Sequence, residues 1–151
     1  PWSRNFLLLK TGAKKQDCEW NAAKRWIERN SFLADQKVII MRDGLFSGSP
    51  FCKLLLEHGF HFILVCKPTS HETLYQALDT LEQAGKITTF STRKWNGRSH
   101  ERHIYRYADS LPIKQGDNAL SVNWVELTII RTDTQEVIYK NSFVTHFTIN
   151  R

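Results

Sequence analysis

Two strand-like runs with a helix between them constrain this chain more than any other feature. Lys37-Val38-Ile39-Ile40-Met41 is continuous and β-branched, and Phe60-His61-Phe62-Ile63-Leu64-Val65-Cys66 repeats the texture. Runs of this kind suit strands buried on both faces of a sheet. Between them, Ser49-Pro50 opens a helix, with Ser as N-cap and Pro at the first helical position, and Gly59 stops it. A further helix follows Ser70, with Leu74, Leu78 and Leu81 on one face and Gly85 as its stop. Strand, helix, strand, helix with short loops predicts a mainly parallel sheet covered by helices.

The flanks read differently. Phe6-Leu7-Leu8-Leu9 suggests a strand remnant, followed by a basic loop through Lys15. Asp17 is placed to cap a helix over 18–30, whose Ala22, Ala23, Trp26 and Ile27 share a face. Beyond Gly85 the runs 86–92, 102–108, 119–131, 136–140 and 143–149 are β-branched or aromatic. Asn96-Gly97 and Asp117-Asn118 mark turns among them. The expected division is therefore an α/β part over 1–85 and an attached, mostly antiparallel β region over 86–151, packed as one unit.

With 41% hydrophobic and 12% aromatic residues, a packed core is expected rather than disorder. Lys and Arg number 21 against 15 acidic residues, a net charge of +6. That excess suits a polyanionic partner, whose condensed counterions basic side chains release, although a soluble protein can be basic without one. Cys18, Cys52 and Cys66 follow no zinc spacing, and unpaired thiols suit a reducing cytoplasm. No apolar run reaches membrane-spanning length, so no membrane partner is expected. Pro1-Trp2-Ser3-Arg4 is neither a signal peptide nor an initiator, and a trimmed or truncated product is the expectation.

Asp43 is the first chemical candidate. It ends the first strand run, where open α/β sheets place ligand-binding groups, and Gly44 with Ser47-Gly48-Ser49 leaves room beside it. A carboxylate there can help hold Mg²⁺, yet one alone is weak, and an Asp that merely begins a turn looks the same. Arg93, Lys94, Arg98 and Arg102 surround Trp95 and the Asn96-Gly97 turn. A basic hairpin tip with an aromatic can hold a DNA backbone and stack on an unpaired base, but it can equally be a solvated turn. Lys67 ends the neighbouring strand and is a phosphate-ligand candidate. His100 and His103 would face opposite sides of a strand, and His58 and His61 have no third ligand nearby, so neither pair suggests a metal.

Several blocks together resemble the insertion-sequence DDE transposases of bacteria. Asp43-Gly44-Leu45-Phe46-Ser47, after its apolar strand and before Val65-Cys66-Lys67-Pro68, looks like that family's second-aspartate block. Lys15-Gln16-Asp17-Cys18-Glu19, Ala23-Lys24-Arg25-Trp26, Ser49-Pro50-Phe51-Cys52, Trp95-Asn96-Gly97-Arg98 and Val122-Asn123-Trp124-Val125-Glu126-Leu127 resemble one subfamily, in order along most of the chain. The resemblance implies a partial ribonuclease H-like core with an antiparallel β insertion. It also implies metal-dependent DNA cleavage and strand transfer with Mg²⁺ or Mn²⁺, transposon-end DNA as partner, and a possible homodimer in the complete protein. Asp43 would be one of three catalytic carboxylates and a metal ligand; Lys67, Arg93, Lys94, Trp95, Arg98 and Arg102 would contact DNA. No counterpart of the other two carboxylates is apparent, since Glu126 lies in an alternating strand. Arg42 departs from the small or acidic residue expected there. This chain is therefore expected to be inactive alone. Two other readings remain open: a non-catalytic nucleic-acid-binding remnant of a decayed mobile element, and an unrelated metal-dependent hydrolase.

Overall fold

The computed structural model describes residues 12–44 and 46–149, with side chains from Glu19 onward. A helix, α1 (Gly12–Arg29), and a short 3₁₀ helix (Ser31–Gln36) lead into β1 (Ile39–Arg42). Then come α2 (Ser49–Glu57), β2 (His61–Cys66), α3 (Glu72–Gln83), β3 (Thr88–Trp95), β4 (His100–Pro112), β5 (Ser121–Arg131) and β6 (Val137–Thr145). The six described strands form one sheet in the order β1-β2-β6-β5-β4-β3. The fold is mixed α/β, and its sheet is mostly antiparallel. Only β1 and β2 run parallel among the described strands, and β6 lies antiparallel against β2, so the meander β3–β6 extends the same sheet.

One core holds these layers together. Ala23 and Ile27 from α1, Phe51, Cys52 and Leu55 from α2, and Leu74 and Leu78 from α3 pack on Phe62, Leu64, Cys66, Val144, Val122 and Trp124 of the sheet. Strand side chains alternate between faces, so Ile63, Val65, Phe143, Val125 and Leu127 point to the other side, where they are only half-buried.

That one-sided cover corrects the expectation of strands buried on both faces. Ile39 is 46% and Met41 67% exposed, because β1 ends the order of the described strands and presents those two residues to the less covered face. β2 is central yet alternates between half-buried and buried residues for the same reason.

Local signals shift by a few residues. Gly48, with extended backbone, is the N-cap of α2; Ser49 is already helical, with Pro50 in the first turn. His71 rather than Ser70 is the N-cap of α3. Asp17 lies within α1, which begins at Gly12, so part of the expected basic loop is helical. The expected Phe6–Leu9 strand lies outside the described residues. The runs 136–140 and 143–149 merge into β6, because its polar middle, Lys140-Asn141-Ser142, pairs with Thr128, Leu127 and Glu126. Gly59 and Gly85 take φ of +73° and +64° where helices α2 and α3 stop, a backbone region that a Cβ disfavours. No described helix is long and apolar enough to cross a membrane.

Candidate functional site

Asp43 follows directly on the last residue of β1 and is exposed. The turn it opens is closed by Phe46 N–H donating to the Asp43 carbonyl (3.2 Å) and by Ser47 Oγ–H donating to the Gly44 carbonyl (2.8 Å). Arg42, which departs from the transposase pattern, lays its guanidinium over the Phe46 ring at 4.8 Å. Because β1 and β2 are parallel, their carboxyl ends share one edge of the sheet. The β2–α3 loop therefore comes beside the Asp43 turn. A Cβ placed on Gly44 would lie 3.5 Å from the Val65 carbonyl oxygen and 3.9 Å from Cγ of Lys67. Asp43 and Lys67 thus belong to adjacent loops at one end of the molecule.

The remaining DNA-contact candidates gather elsewhere. In the β3–β4 hairpin Arg93 pairs with Arg102 and Trp95 with His100, so strand alternation puts these four on one face. The Trp95 and His100 rings approach to 4.9 Å. Trp95 is 59% exposed, and with Arg93, Lys94, His100 and Thr132 it lines an open cleft of about 460 Å³. Asn96 builds the tip: its Oδ1 accepts from the backbone N–H groups of Arg98 and Ser99, both at 2.9 Å, and Gly97 adopts φ +93°. On the opposite face, Glu101 accepts from Asn96 Nδ2 and from His103 Nε2, and these hydrogen bonds, His103 foremost, hold its carboxyl below the usual range.

The register relates the two groups. Cys66, Ser142, Glu126 and Arg106 lie in one row across β2, β6, β5 and β4. Beyond that row residues 137–141 of β6 run on past the end of β2 by roughly 16 Å at ~3.3 Å per residue, and the β3–β4 hairpin keeps pace. The basic tip therefore stands out on the end of the sheet that carries Asp43 and Lys67. With strands ~4.8 Å apart and the tip on the far edge, Trp95 and Asp43 are separated by on the order of 30 Å.

Glu126 is not a partner for Asp43. Two strands, β2 and β6, intervene between β1 and β5. Its carboxylate is committed to Arg106 Nη1 (3.2 Å) and Lys140 Nζ (3.5 Å), with Ser142 Oγ at 3.5 Å. Among the described residues no group of three or more His, Cys, Asp or Glu side chains could hold a metal ion. One exposed carboxylate does not make a magnesium site, so the donors here do not fit that ion unaided.

Other features were not foreseen from residue order. His61 stacks on His146, with Nδ1 and Nε2 at 2.8 Å. Burial, and to a lesser degree His61, push the His146 imidazole below its usual pKa. His71 is buried between the Asp43 turn and the Lys67 loop. Burial raises the Cys52 and Cys66 thiols to about 12 and about 11, which excludes a ready nucleophile there. Neither a protein-family model nor a curated protein sequence matches this chain.

Proposed function

We propose that this chain is a segment of a DDE transposase with a partial ribonuclease H-like core, contributing Asp43 and a DNA-holding surface. The observation that carries the reading is the shared end of the sheet: Asp43 and Lys67 sit at the carboxyl ends of the parallel pair, and the basic β3–β4 hairpin overhangs that end. Their spacing of on the order of 30 Å is close to one turn of duplex, so a single DNA can lie across both patches. Arg93, Lys94, Arg98 and Arg102 would neutralise phosphates, and Trp95 offers an exposed ring beside them. Asp43 is one of three carboxylates in such an enzyme, and strand transfer needs the other two, so this chain alone binds DNA and leaves it intact.

The test is fluorescence anisotropy on a labelled duplex across a salt series. Replacing Arg93, Arg98 and Arg102 with Gln should flatten the slope of log K against log salt by about 0.9 per lost phosphate contact. An unchanged slope removes the hairpin from the DNA-binding surface. Magnesium-dependent nicking of DNA by the 151-residue chain, abolished by Asp43→Ala, would overturn the statement that it is inactive alone.

The remnant reading, DNA binding by the hairpin with no part for Asp43, draws support from the fact that no group of three or more His, Cys, Asp or Glu side chains among the described residues could hold a metal ion. It is favoured if Asp43→Asn leaves DNA affinity unaltered with and without Mn²⁺.

A further inference from the structure

The Asp43 turn is tied to the β2–α3 loop through one side chain that plays no part in the reading above. His71 is 4% exposed, and its ring lies between the two loops. Nε2 donates to the Ser47 carbonyl at 2.9 Å. On the other side Nδ1 lies 2.9 Å from Ser70 Oγ and 3.3 Å from the Lys67 carbonyl. Ser47 is itself fully buried, and its hydroxyl holds the Gly44 carbonyl, one residue past Asp43. A continuous chain of hydrogen bonds therefore runs from the Lys67 loop through the imidazole and Ser47 to the residue beside Asp43.

The chemistry of the ring suits this place. A carbonyl only accepts, so Nε2 must carry hydrogen, and it does so in either protonation state. Nδ1 accepts the Ser70 hydroxyl hydrogen when neutral, or donates to Ser70 Oγ or the Lys67 carbonyl when protonated. A buried ring is also stiff, with two torsions held by packing, so it sets a defined separation between the two loops.

We propose that His71 is a positioning residue, which fixes the turn that carries Asp43 against the loop that carries Lys67. This rests on the reading of that end of the sheet as the site of phosphodiester chemistry. The imidazole touches neither DNA nor metal; it acts through Ser47 and Gly44.

Two replacements separate the halves of the clamp. The amide of His71→Gln reaches the position of Nε2 and keeps a donor for Ser47, whereas His71→Asn reaches only the position of Nδ1. By amide hydrogen exchange, His71→Asn should speed exchange at residues 44–48 about tenfold, the effect of one lost buried hydrogen bond, and His71→Gln should stay near wild type. The positioning claim has its own signature. Lys67→Gln should shift the Asp43 carboxyl ¹³C resonance in the wild-type background, and that shift should vanish alongside His71→Asn.

Equal exchange in all three proteins, or a Lys67→Gln shift that survives His71→Asn, would overturn the proposal. Should His71→Asn not fold, the wild-type protein decides: a slowly exchanging Nε2–H resonance with a cross-peak to Ser47 supports the clamp, and its absence refutes it. None of these measurements uses nucleic acid. A protein that keeps the clamp yet ignores DNA rejects only the transposase reading, and one that binds DNA without the clamp rejects only this one.

Discussion

Removing the Arg106 guanidinium isolates the charge of Glu126, and the structure sets the size of the effect. Glu126 is 7% exposed in mid-sheet and faces Arg106 at 3.2 Å and Lys140 at 3.5 Å. Breaking a buried ion pair by deleting one partner typically costs 3–5 kcal/mol, because the other charge stays behind without compensation. Two observations lower that figure: the Arg106 side chain is 26% exposed, and Lys140 remains as a second cation, although its own side chain is 58% exposed and screened by water. The Arg106–Glu82 link adds little, since Glu82 is largely exposed. Loss of the guanidinium at 5.9 Å over the Trp124 ring adds about 0.5 kcal/mol. For Arg106→Met, which keeps the apolar stem, the expected cost is about 2–3 kcal/mol. In a domain of this size that is roughly 5–10 °C in Tm. Arg106→Met combined with Glu126→Leu should recover most of the loss, because an apolar pair of similar volume needs no compensation. Urea unfolding followed by tryptophan fluorescence, arranged as a double-mutant cycle, measures both. If Arg106→Met costs under about 0.5 kcal/mol, or the two changes simply add, Glu126 is not held by this pair and its role in the sheet must be reconsidered.

Three further outcomes follow from the titratable groups. His146 has its folded pKa below the ordinary 6.5, through burial first and His61 second. The unfolded chain therefore binds the proton first, and stability present above pH 6.5 declines as the pH falls toward the folded value. His146→Gln should flatten the urea midpoint against pH in that window, and an unchanged profile would assign the slope to another group. Cys52 and Cys66, with thiols at about 12 and about 11, should resist a disulfide reagent at pH 8 until the protein is unfolded; rapid labelling of either in the native state contradicts their burial. Glu101 has its carboxyl lowered by the His103 and Asn96 hydrogen bonds, so its contribution to the hairpin is complete above the ordinary carboxylate value and is lost as the pH falls through the lowered one. Exchange protection at Arg98 and Ser99 followed on acidification should track that loss, and Glu101→Gln should remove the dependence.

What was readable in residue order was local. The β-branched run that stops at Arg42-Asp43-Gly44 marked a strand end, and Asn96-Gly97 marked a hairpin, because both signals depend on neighbours within a few residues. The exposure of Ile39 and Met41 was not readable, since a β-branched run is the same string whether one face or two receives helices. The continuity of β6 through Lys140-Asn141-Ser142 was hidden for a related reason: those polar residues face Thr128, Leu127 and Glu126, and only the register says so. His71 gave no signal at all, because a buried histidine that ties two loops together and a loop histidine in water occupy identical sequence contexts.

The transition from parallel to antiparallel pairing at β2 explains why the two candidate surfaces lie at the same end of the sheet. β6 runs against β2, so residues before Ser142 lie beyond the carboxyl end of β2, on the side of Asp43. β5 and β4 alternate in turn, which carries Arg131 and His100 to that same level, and the β3–β4 turn can only emerge there. Had the strand beside β2 been parallel, the same meander would have projected from the opposite end, with Arg93, Trp95 and Arg102 facing away from Asp43. The direction of one strand pair thus decides whether a basic hairpin and a strand-end carboxylate lie at the same end of the sheet. The observed Cys66–Ser142 register puts both at one end.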